Sequence, residues 1–158
     1  MGKRKVNTMP AWRFLFLLYC VTMFWLLFCR SNGWSSGLSY WQQLRQNTNL
    51  VPLYTIKNYL YVLKHPSSTY LLKHCFINLA GNLLLFIPAG WLIPRLWPKI
   101  RNFFRFITLS AGLIFLVEVV QLFTLLGSFD VDDVILNLSG MTVGFLLYSC
   151  FARPARRN

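Results

Sequence analysis

Four apolar runs, separated by polar stretches, set the pattern of this chain. They cover about residues 12–29, 75–94, 103–126 and 134–151, each near the ~17–25 residues with which a helix crosses a bilayer. The pattern predicts an all-α integral membrane protein built as a four-transmembrane-helix bundle. Residues 30–74 are too polar to span. Within them Trp34, Leu38 and Trp41 recur at helical spacing, as do Ile56, Leu60 and Leu63, with Tyr59 and Tyr61 alongside. That periodicity predicts interfacial amphipathic helices in the first outer loop. Pro52 stops a helix between them, and Asn47 and Asn49 offer side-chain hydrogen bonds there. No internal repeat or low-complexity tract divides the chain, so residues 1–158 read as a single domain.

Composition narrows the class. With 56% hydrophobic and 13% charged residues, the chain is too apolar for an ordinary water-soluble domain. The net charge of +12 brings nucleic acid to mind, but the cations flank apolar runs rather than cluster on a soluble face. Anionic lipid headgroups suit them better, and no nucleic-acid partner is expected.

The cations also orient the spans. Lys3, Arg4, Lys5 and Arg13 precede the first run, Arg95, Lys99, Arg101 and Arg105 join the second to the third, and Arg153, Arg156 and Arg157 close the chain. Placing these inside puts both termini in the cytoplasm, with the chain crossing the membrane several times. The long 30–74 connection and the short 127–133 connection are then outside. The basic start and following apolar run resemble a signal peptide. No small-residue cleavage site follows in FCRSNGW, so an uncleaved first span is expected.

All four acidic residues, Glu118, Asp130, Asp132 and Asp133, fall between the third and fourth runs. A carboxylate near hydrocarbon costs ~2.5–3.5 kcal/mol even on a lenient scale and persists where some benefit offsets it. At about 1.5 Å per helical residue, Asn78, Asn82, Glu118, Gln121 and Asn137 all fall in the outer half of the bilayer. Helical spacing puts Asn78 with Asn82 and Glu118 with Gln121. It also makes one stripe of Asp130, Asp133, Asn137, Gly140 and Gly144 if the last helix extends back into the turn. Asp132 points off that stripe and is expected to matter least. Gly140 and Gly144 form a GxxxG that admits a neighbouring backbone, and Pro88 should kink the second span or end its regular outer part. Taken singly, each amide also fits plain interhelical hydrogen bonding.

Other chemistry is absent from the pattern. Cys20, Cys29, Cys75 and Cys150 show no CxxC, so they read as apolar filler, with Cys29 and Cys75 the one pair whose depths would match. His65 and His74 lack zinc-protease spacing, and no nucleophile elbow, phosphate loop or dinucleotide fingerprint is present. No metal site and no cofactor is expected.

Three segments then carry a resemblance. They are Asn82-Leu-Leu-Leu-Phe86-Ile-Pro88-Ala-Gly90, Glu118-Val-Val-Gln121, and Phe129-Asp130-Val-Asp-Asp133-Val-Ile-Leu-Asn137-Leu-Ser-Gly140. In this order and spacing they resemble the VanZ family, and Asn49-Leu-Val-Pro52 with Thr55-Ile56 is similar to that family's outer-loop signature. The resemblance covers about the last two-thirds of the chain. It implies a small bacterial membrane protein linked to resistance against glycopeptide antibiotics of the lipid-tailed teicoplanin type, and it brings no molecular mechanism with it. Many family members carry an Arg three residues before the first aspartate, where this chain has Gly127. A cation for the aspartates would then come from Arg45 or Lys73.

The leading expectation is a non-enzymatic binding protein with an acidic and amide-lined cleft at the outer leaflet. There Glu118, Asp130 and Asp133 supply charge, while Asn82, Gln121 and Asn137 orient an antibiotic or a lipid-linked cell-wall precursor. The alternative is a membrane enzyme acting on a lipid-linked or cell-wall substrate. It would use Glu118 or Asp133 as general base, with a divalent cation held by the aspartates. In a third reading the GxxxG face binds a partner subunit.

Overall fold

The apolar runs fold as helices. The computed structural model describes residues 9–29 and 37–152; Lys3, Arg4, Lys5, Arg30, Trp34, Arg153, Arg156 and Arg157 lie outside the described residues. Helix α1 (Met9–Phe24) continues into a π-helical turn at Trp25–Cys29. Helices α4 (Thr69–Leu96), α5 (Phe103–Phe123) and α6 (Val131–Phe151) follow the intervening loop. Each of these four segments is long and apolar enough to cross a membrane. Phe14, Leu17, Phe104, Leu113, Phe115 and Phe151 are exposed on them, as a lipid-facing surface requires. This is an all-α, multi-pass membrane protein.

Helix ends follow their caps rather than hydropathy. Helix α4 starts at Thr69, ahead of the 75 expected, because Ser68 accepts the Leu71 N–H at 3.2 Å. Its first turns then carry Tyr70, Lys73 and His74 beyond the apolar run. Asn102 caps α5 through the Arg105 N–H at 3.1 Å, and Asp130 caps α6. Helix α5 stops at Phe123, short of 126, and Leu125 takes a left-handed φ of 54° that turns the chain.

Two helices occupy the first loop. Helix α2 (Tyr40–Gln46) opens with a capping box between Ser39 and Gln42. Helix α3 (Tyr54–Lys64) turns Ile56, Tyr59 and Leu63 partly inward and leaves Lys57, Leu60, Tyr61 and Lys64 exposed. Tyr59 meets His74 of α4 edge-on with ring centroids 6.2 Å apart. Between α2 and α3, strand β1 (Thr48–Asn49) pairs in parallel with β2 (Phe129–Asp130), Thr48 opposite Phe129 and Asn49 opposite Asp130. This two-residue ladder fastens the loop to the α5–α6 turn.

The core is a parallel pair, α4 against α6. A Cβ on Gly140 would lie 2.0 Å from the Leu83 carbonyl oxygen, one on Gly144 2.1 Å from that of Ile87, and one on Gly90 2.1 Å from that of Met141. The steps of four on both helices keep the contact in register over two turns. The GxxxG face is therefore filled by the chain's own α4, which removes it as the surface for a partner subunit. Phe86, Ala89, Phe106, Ile114, Met141 and Phe145 pack around the pair with Met23 of α1.

Pro88 does not end the helix. Helix α4 runs through both Pro88 and Pro94. The Pro88 ring is exposed, and the helix is held on its other face by α6. All four cysteines are free.

Candidate functional site

The acidic stretch divides into two groups with different work. In the first, Asp130 has extended backbone angles (φ −124°, ψ 122°) and ends the α6 helix as its N-cap. Its Oδ1 accepts the Asp132 N–H at 2.8 Å. Its Oδ2 accepts the Thr55 hydroxyl at 2.6 Å and the Asn49 side-chain amide at 3.2 Å. The cation expected from Arg45 or Lys73 is thus replaced by a neutral hydroxyl and amide from the 49–55 segment.

Asp132 overturns its expectation. It is fully buried, and its carboxylate accepts the Leu53 N–H at 2.5 Å and the Ile56 N–H at 3.0 Å. Leu53, at a left-handed φ of 64°, is the N-cap of α3 and supplies no side-chain cap of its own. Asp132 serves that role from a remote helix, placing a negative charge where free N–H groups and the helix dipole both favour it. Because its carboxylate reaches the first N–H groups of α3 rather than the 133–137–140 stripe, the off-stripe position is the structural one. Asn49 and Thr55 on Asp130, with Leu53 and Ile56 on Asp132, form a clasp whose one sequence signal was the family-like segment 49–56.

The second group is Glu118, Asp133, Asn82 and Asn137. Asn82 of α4 donates its amide to Asp133 Oδ1. Glu118 is buried in α5, within hydrogen-bonding reach of the Asp130 backbone N–H and close enough to Asp133 for their charges to interact. Two buried acceptors here have no partner, Glu118 Oε2 and Asn137 Oδ1. Unpaired buried polar atoms are rare and call for an explanation.

Beside this group lies a cavity of about 560 Å³ between the end of α1, α4 and the end of α5. Asn78, Asn82 and Gln121 line it, with Leu27, His74 and Gly127. Gln121, one turn from Glu118, donates Nε2 to the Leu27 carbonyl at 3.0 Å and so closes one wall. Asn78 turns to His74, donating its amide to that residue's carbonyl at 3.2 Å. Of the expected ligand-binding residues, Asn82 and Gln121 face the cavity. Glu118, Asp133 and Asn137 sit in the polar group beside it, and Asp130 belongs to the clasp. Among the described residues no three His, Cys, Asp or Glu side chains are grouped to hold a metal ion. A cation here would need amide or backbone oxygens as well.

Tyr59, outside the spans, borders the same region. Burial first, then the charges of Asp133, Cys75 and Asp130, pushes its phenol above the usual value. The folded state therefore keeps that proton longer than the unfolded chain does. Its contribution to stability is whole below about pH 10 and fades as pH climbs through the raised value. Alkaline melting curves should show this, with Tyr59→Phe flattening the decline.

Comparison with protein families decides the affiliation: the VanZ/LLP1 family model matches residues 16–152. The chain belongs to the VanZ/LLP1 family. At the level of that family it is a membrane protein associated with glycopeptide resistance of the teicoplanin type. The match includes α2, α3 and the clasp as well as most of the four spans. No curated protein and no solved structure matches the chain.

Proposed function

We propose that this VanZ/LLP1 protein binds a teicoplanin-type antibiotic, or the lipid-linked cell-wall precursor that such antibiotics recognise, in the cavity walled by Asn82 and Gln121. The reading places the acidic end of the bundle at the outer leaflet of a bacterial plasma membrane and both termini in the cytoplasm. One observation carries it. Glu118 Oε2 and Asn137 Oδ1 are buried acceptors without donors, next to a cavity whose wall residue Asn82 holds Asp133.

A ligand that satisfies such a site must bring N–H or O–H groups. Amine and peptide donors do so, whereas a bare phosphate brings only acceptors. The volume of about 560 Å³ lies within the ~300–1,000 Å³ of small-molecule sites. It suits the polar head or one arm of a larger amphiphile whose acyl chain stays in the leaflet.

Glu118→Gln keeps the shape and removes the charge. Losing one charge-assisted hydrogen bond should weaken binding by about 10- to 100-fold. Cells carrying the variant at an unchanged protein level should lose teicoplanin resistance. Full resistance at equal level would remove Glu118 from the mechanism. Turnover of a labelled lipid-linked precursor by the purified protein, lost in Glu118→Gln, would replace binding with catalysis.

A further inference from the structure

The opposite end of the bundle carries a second polar feature that the antibiotic site does not use. All four acidic side chains lie in residues 118–133, whereas Arg13, Arg95, Lys99, Arg101 and Arg105 gather where α1 and α5 begin and α4 ends. No carboxylate side chain of this chain is available there to neutralise them. Two of these cations are held in place by backbone carbonyls. Arg105 donates Nη1 to the Lys99 carbonyl at 2.7 Å, which fixes the guanidinium while Nε and Nη2 remain free to donate. Arg101 donates Nε to the Pro94 carbonyl at 3.0 Å.

Next to them the surface is concave. A cavity of about 530 Å³ is rimmed by Lys99 and Arg105 and floored by Trp97, Ile100 and Leu109. A second, of about 230 Å³, shares those three floor residues and continues past Ile93 and Phe16 to Leu113. From Arg105 to Leu113 the slot follows α5 for about 12 Å at 1.5 Å per residue. Phe16 stands edge-on to Trp97 with centroids 5.1 Å apart and forms its far side. The slot is thus cationic at its mouth and apolar along its length.

We propose that this slot binds one anionic phospholipid, with its phosphate on Lys99 and Arg105 and an acyl chain along Ile93, Leu109 and Leu113. A preset guanidinium presents parallel N–H groups to phosphate oxygens, and the apolar length takes the chain that a free phosphate lacks. Any lipid would coat a flat apolar flank. A concave slot with a fixed cationic mouth selects one class. The site does not depend on which way the bundle faces.

The test uses the full chain purified in mild detergent. Bound lipid is read by native mass spectrometry during titration with phosphatidylglycerol or phosphatidylcholine of the same acyl chains. Phosphatidylglycerol should be retained at about 10-fold lower concentration. Lys99→Gln with Arg105→Gln should abolish the preference, while Lys57→Gln with Lys64→Gln, an equal loss of charge at the other end, should preserve it. Leu109→Trp, which fills the slot but keeps both cations, should weaken retention on its own. Equal retention of the two lipids by the wild type would overturn the proposal. So would an equal effect of the two double variants, which would mean diffuse charge. Displacement by glycerol phosphate as readily as by lipid would overturn the acyl slot.

Discussion

Gly144→Leu should leave almost no folded protein in the membrane. A Cβ at this position would meet the Ile87 carbonyl oxygen at 2.1 Å and the Gly90 Cα at 2.9 Å. Both are backbone atoms of α4, so no side chain can turn aside. Adding methylenes to a packed core typically costs ~1–3 kcal/mol through shifted side chains and backbone. A leucine driven into a helix backbone exceeds that range and approaches the ~5–15 kcal/mol by which whole domains are stable. Recovery of monodisperse protein in mild detergent measures the effect, with Gly112→Leu as control because a Cβ there meets open space. Wild-type recovery of Gly144→Leu would mean that α4 and α6 are not in contact. Because α4 lies in the same chain, the loss should not depend on protein concentration, unlike the loss of a subunit interface.

Asp132→Asn should cost about 3 kcal/mol while leaving the polar group of Asn82, Glu118, Asp133 and Asn137 chemically intact. The carboxylate accepts two backbone N–H groups, from Leu53 and Ile56, and hydrogen bonds to a charged group contribute ~1.5–3 kcal/mol each. Asparagine keeps one acceptor and turns an NH₂ group toward a backbone donor, so one N–H is left unpaired in a fully buried place. Helix α3 keeps only half of its N-terminal cap at the same time. Amide exchange in residues 53–64 should speed up and trypsin should cut at Lys57 or Lys64. Asp133→Asn should do neither, since Asp133 is held by the Asn82 side chain and touches no backbone donor of α3. Equal exchange in the two variants would show that the clasp does not hold α3.

The four spans were legible because a helix in hydrocarbon must be apolar throughout its crossing, and long apolar runs have few other uses. Their ends were less so. The first turns of α4 and α6 carry polar residues beyond the apolar runs, exposed in α4 and paired inside the protein in α6. Hydropathy therefore falls before the helix does, and the boundaries follow Ser68 and Asp130 instead. Gly140 and Gly144 announced a close helix approach, but not that α4 would be the neighbour. That required Gly90 to sit opposite.

The polar site was legible by depth and face for Asn82, Glu118, Gln121, Asp133 and Asn137. The stripe failed at its first member: Asp130 is extended, so helical spacing does not reach it. Asp132 was misjudged for a related reason. Pointing off the stripe suggested idleness, whereas that direction meets the first N–H groups of α3. Nothing periodic marks the pairing of residues 48–49 with 129–130, since two residues are too few to show alternation and their partners lie some eighty positions away.

The first span, finally, is a loosely hung door on the chamber that Asn82 and Gln121 line. Met23 is its one buried side chain among the described residues, and it is latched by Tyr19 to the Leu85 carbonyl and by the Leu27 carbonyl to Gln121. The α4–α6 pair opposite is locked backbone to backbone. One side of that chamber is thus a helix held by two long-range hydrogen bonds, and the other a helix pair in backbone contact. The glycine contacts that keep the fold together involve no residue of α1.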